Sequence, residues 1–170
     1  MEMPLETMED PRAKRCTELY RWCCERDDKS EYHQELKFEE EKGEFFREYL
    51  IWHATESGVK AMAHRTTSPE KLSEEMIDCL ITLARFKKWP ELFYARSCDF
   101  PVDFFSRFVS AIRSHAFLHA LEAASDAMTE HEFYDHLENK LNKWVRILTA
   151  AGLDKIEDNT LAPHAPAQEP

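Results

Sequence analysis

The sequence predicts an all-α, single-domain bundle of six or seven helices with a central, largely apolar helix at about 101–127. Three observations carry that reading. The chain has only three glycines in 170 residues, and it lacks the Asn-Gly, Asp-Gly and alternating β-branched runs that hairpins need. Capping side chains stand before proline or glutamate where helices would begin. Apolar residues recur at spacings of three and four over long stretches.

Taken in order, Asp10-Pro11 pairs a capping side chain with proline at the first helical position, predicting a helix at about 11–26. A long helix at about 30–64 follows, expected to break near Gly43 or Gly58. Ser68-Pro69 repeats the capping device and opens a helix at about 69–86, in which Leu72, Met76, Cys79, Leu80, Leu83 and Phe86 form one stripe. A short helix at about 90–97 comes next, then the long one at about 101–127. Thr129 and Glu132 fit a capping box at the start of the last helix, about 130–151. That helix buries Phe133, Leu137, Leu141, Trp144, Val145 and Leu148, and the glycine of "TAAGL" ends it.

The helical domain is thus read as residues 10–152. Residues 1–9 are acids and methionines without periodicity, and residues 153–170 run into the Pro/Ala-rich "LAPHAPAQEP". Neither end can build a core, so both are expected to be flexible.

The helix at 101–127 differs from the others. At 100° per residue Phe105, Phe108, Val109, Ile112, Ala116, His119, Ala120 and Ala123 share a face, while Phe117, Leu118 and Leu121 lie elsewhere around it. A helix apolar nearly all round wants neighbours all round, which places it at the centre.

Bulk charge excludes some functions. With a formal charge of −11 the chain repels a phosphate backbone, and "RAKR" at Arg12–Arg15 is too short to reverse that, so nucleic acid is not expected. No window approaches 18 uninterrupted apolar residues, so no membrane insertion is expected. The five cysteines, Cys16, Cys23, Cys24, Cys79 and Cys98, are odd in number, unpaired in pattern and unaccompanied by a secretory signal. That reads as reduced thiols in a cytoplasmic protein, a nuclear one being compatible too. Arg12, Lys14 and Arg15 stand at a helix N-terminus, where the dipole disfavours them. Glu39, Glu40, Glu41 and Glu44 are the expected acidic neighbours.

The stretch "RSHAFLHALEAA" puts His115 and His119 one turn apart, where two imidazoles could share a transition metal or a haem. Two ligands do not make a centre, and the Glu-x-x-His pairs of di-iron bundles are missing. In "HEFYDH" Asp135 stands where a zinc-protease helix has its second histidine. No G-x-S-x-G elbow, C-x-x-C or Gly-rich phosphate loop is present, and catalysis is not favoured.

Aromatics crowd "FKKWPELFYARSCDFPVDFF", flanked by Lys87, Lys88, Arg96 and Arg107. Aromatics and arginine dominate protein interfaces. The sequence therefore reads as a non-catalytic protein–protein interaction or regulatory module without a cofactor, its groove bordered by residues 86–108. The contact residues of that reading are Trp89, Phe93, Tyr94, Phe100, Phe104 and Arg107, and the partner is another protein; self-association stays open. A metal- or haem-binding bundle using His115 and His119 is the alternative.

Overall fold

A computed structural model describes residues 11–92, 108 and 111–155. Among these residues helix is the only regular structure, with no strand and five α-helices: α1 (Pro11–Arg26), α2 (Glu31–Glu56), α3 (Pro69–Phe86), α4 (His115–Asp126) and α5 (Glu130–Ala150). Single 3-10 turns follow α2 and α5, at Lys60–Met62 and Leu153–Lys155. Of the helix expected at 90–97, residues 90–92 are not helical and the rest lies outside the described residues, as does most of 101–114. None of the described helices is long and apolar enough to cross a membrane.

The helix starts are set locally. The hydroxyls of Ser30, Ser68, Ser114 and Thr129 each accept a backbone N–H three residues on, from His33, Lys71, Phe117 and Glu132. At Thr129 the Glu132 carboxylate also accepts the Thr129 N–H at 2.8 Å, completing the capping box. Gly152, with φ 82°, follows the end of α5.

α2 runs unbroken through Gly43 and ends before Gly58, whose φ of 73° needs a glycine. Glycine in a helix interior costs about 1 kcal/mol relative to alanine. Here Phe38 and Phe45, both buried, anchor the helix on either side of it and outweigh that cost.

Helix directions follow from the contacts. Arg12 pairs with Asp135 and Arg15 with Glu138, while Tyr20 packs edge-on against Trp144, so α1 and α5 run side by side in the same sense. The basic start of α1 thus finds its acids on α5, not among the α2 glutamates expected from the sequence. α2 folds back on α3, with Thr67 donating to Glu48 at 2.7 Å near one end and Phe38 stacked on Phe86 at 6.2 Å near the other.

The central helix is α3, which packs against α2, α4 and α5. Its buried residues include Ile77, Ile81 and Ala84 beside the expected stripe, so it is enclosed on more than one side. The expectation for 101–127 is corrected. Ile112 to Ser114 are not helical, and Ser114 caps a new helix. That break resets the register: Phe117, Ala120, Leu121 and Ala124 face inward, while His115, Ala116 and His119 are exposed. Phe117 fills the space between Phe38, Phe45 and Phe46, with ring centroids 5.5–6.4 Å away.

Candidate functional site

At the end of the bundle where α1 and α3 finish and α2 begins, four segments enclose a cleft of about 350 Å³. The α1–α2 link contributes Asp27 and Lys29, and α2 contributes Gln34, Lys37 and Glu41. Asp78, Ile81, Thr82 and Arg85 come from α3, and Lys140, Lys143, Trp144 and Ile147 from α5. Trp144 and the half-exposed Ile147 form an apolar shelf beside this charged wall.

Every acid of the lining already has a base. Asp27 meets Arg85 at 3.4 Å and Lys29 at 3.6 Å, Glu41 meets Lys37 at 2.9 Å, and Asp78 meets Lys140 at 3.0 Å. Five bases face three acids there, and Lys143 has no ion pair among the described residues. The cleft is thus locally cationic in a chain of formal charge −11.

The buried side of the network shifts its proton equilibria. Desolvation raises the pKa of Asp78 despite its bond to Lys140, and likewise that of Glu41 despite Lys37. Glu75, one turn before Asp78, is pushed up to about 7 by burial first and then by the charges of Asp78 and Glu44. For Lys140, desolvation works downward, but the hydrogen bond and charge of Asp78 outweigh it and raise its pKa.

Oxygens of Glu41, Glu75 and Asp78 lie within 4.8 Å of one another, the spacing of cation ligands. Lys37, Lys140 and Lys71 already pair with Glu41, Asp78 and Glu75 at 2.9, 3.0 and 3.9 Å, so the trio reads as the acidic half of a balanced network. Three acceptors of this network remain unused: the buried Oε1 atoms of Gln34, Glu41 and Glu75 have no hydrogen-bond partner among the described residues, although Gln34 Nε2 donates to the Lys29 carbonyl at 3.1 Å.

The residues singled out from the sequence fall elsewhere. Trp89 is half-buried, edge-on to the fully buried Phe108 at 5.2 Å, and its carbonyl accepts the Tyr20 hydroxyl at 2.9 Å. Phe93, Tyr94, Phe100, Phe104 and Arg107 lie outside the described residues. His115 and His119 stand close, ring centroids 5.7 Å apart, but on the exposed side of α4. No third ligand joins them among the described residues.

Sequence reasoning missed the cleft because Lys140 and Lys143 sit on what reads as the wet side of α5. One signal was available. Gln34 and Glu41 share the 34–38–41–45 stripe with Phe38 and Phe45, so two polar groups interrupt an apolar face at helical spacing.

Set against known protein families, curated proteins and solved structures, the chain matches none of them.

Proposed function

We propose that the chain is a non-catalytic protein-interaction module of regulatory type whose cleft receives a short acidic segment of a partner protein. The observation that carries this reading is the cationic surplus of a cleft whose own acids are all paired. An incoming carboxylate meets Lys143, which has no ion pair among the described residues, without displacing an internal partner.

The shelf and the size of the cleft also suit a peptide. The half-exposed Ile147 beside Trp144 matches an apolar side chain, and the volume of the cleft, about 350 Å³, matches a few residues. A nucleic acid would extend its phosphates beyond the cleft over a strongly acidic surface, whereas a segment of a few residues fits within it. Arg85, on the cleft wall, directly precedes the stretch 86–108 expected from the sequence to border the groove, and the same partner is proposed to extend along it.

Selection from a random peptide display library tests the proposal. Enriched sequences are expected to combine Asp or Glu with one large apolar residue. Lys143→Glu and Ile147→Ser should each weaken binding of a selected peptide at least tenfold while leaving the melting temperature unchanged. Enrichment of basic peptides, or binding indifferent to both substitutions, overturns the proposal.

A further inference from the structure

Gly43 stands near the middle of a long helix, yet nothing in the fold requires a glycine there. Its backbone is helical, and a Cβ added to it would meet nothing within 4 Å. It points directly away from the core. At 100° per residue the buried Gln34, Phe38, Glu41 and Phe45 centre about half a turn from it. Leu36 and Leu50, each seven residues away, fall within about 20° of the Gly43 direction. Both leucines are about half exposed, and Tyr32, on the same line, is 69% exposed.

The charges beside this stripe are also placed about Gly43. Arg47 has no ion pair among the described residues, and Glu40 is held only by the exposed Lys37 at 2.8 Å. They lie on the same flank of the stripe, one on each side of Gly43 along the axis. Two turns separate them on one helix, beyond the three- or four-residue spacing at which helical neighbours pair.

We infer that α2 carries a self-association surface on which a second copy of this chain docks antiparallel, crossing at Gly43. Turning one copy about a two-fold axis at that glycine brings Leu36 beside the second copy's Leu50, and Arg47 opposite the second copy's Glu40. Each contact occurs twice, as an isologous interface demands. The glycine lets the two backbones approach closely at the crossing. A second copy is favoured over an unrelated helix because the pattern next to the glycine is its own complement: leucine meets leucine and base meets acid. The surface adjoins the cleft only through the Glu40–Lys37 pair, since the α2 residues of the cleft centre on the opposite side of the helix. A single helix pair buries an area at the low end for specific complexes, below about 1,200 Å² in total, so the dimer is weak and concentration-dependent.

Sedimentation velocity on the full chain, from about 10 to about 500 μM, tests this. A reversible rise from 20.1 kDa toward twice that mass is expected. Arg47→Glu and Glu40→Arg should each weaken association at least tenfold, with the helical signal intact. An equimolar mixture of the two variants should associate again, because each then offers the charge the other lacks. Gly43→Gln should raise the melting temperature of the dilute monomer while weakening association. A chain that stays monomeric throughout overturns the inference and leaves the stripe to a partner of different sequence. Association unaffected by either reversal, or not restored by mixing, overturns it too, because the contact then lies on another face.

Discussion

The Lys140 ammonium on α5 lies 3.0 Å from the Asp78 carboxylate on α3, both side chains about a quarter exposed, and this pair ties the two helices together at the back of the cleft. Because both groups are largely desolvated, losing one partner strands the other, whereas losing both removes the mismatch. Lys140→Met is expected to cost about 1–3 kcal/mol. The double variant Lys140→Met with Asp78→Asn should cost less than that single change. A double-mutant cycle in urea measures the difference; a double variant worse than the single one would show that the pair does not act as a unit.

Glu75 makes the same network pH-sensitive, and its sign is opposite to that of an ordinary surface carboxylate. In the folded chain the group holds its proton to about 7, against an ordinary 4.5, because burial and the charges of Asp78 and Glu44 disfavour ionisation. The stability this shift contributes is therefore complete below about 4.5 and is lost as pH rises through about 7. Glu75→Gln should match the native chain near pH 4.5 and exceed its stability by about 1–3 kcal/mol at pH 8. Thermal melts across that range decide it. A native chain that stays level while Glu75→Gln shows no gain at alkaline pH would place the carboxyl in water.

Phe117 and His119 separate the structure from what the sequence suggested. Phe117 is buried against three rings of α2, so Phe117→Ala is expected to cost about 3–5 kcal/mol. His119 is exposed, and His119→Ala should change stability by less than about 0.5 kcal/mol. Denaturant titrations of the two variants compare them directly. The expectation of an interior histidine came from extending one helical register from Phe105 to Ala123. The break at Ile112–Ser114 invalidates that extension. Ser114 is a good capping residue, but inside an apolar run its signal competes with the periodicity on either side.

What was legible in the sequence is what depends on near neighbours. The bounds expected for α1 and α3, 11–26 and 69–86, coincide with the observed ones, and α5 ends one residue from its expectation. Caps, proline and an uninterrupted stripe all act within a turn or two. Which helix is central was misread, because α3 shows a tidy stripe while Ile77, Ile81 and Ala84, also buried, lie beside it. The cleft was illegible for a stronger reason. It exists only when Asp27, Gln34, Asp78 and Lys143, from four separate segments, converge, and no local pattern encodes that convergence.

Lys88 ends α3 in a conformation that costs energy. Its φ of 61° is the left-handed value usually left to glycine, and it lets the Trp89 N–H close on the Ala84 carbonyl at 3.0 Å. For a residue with a Cβ this costs about 1–2 kcal/mol, while glycine gives back part of the relief through its freer unfolded state. The side chain offers little in return, since its contact with Glu31 at 3.6 Å joins two groups each about two-thirds exposed. Lys88→Gly is accordingly expected to raise stability by about 0.5–1 kcal/mol, and Lys88→Ala to leave it unchanged or lower it slightly. Equal melting temperatures for the glycine and alanine variants would mean that the turn is not strained. A large loss in both would mean that the Glu31 contact outweighs the backbone.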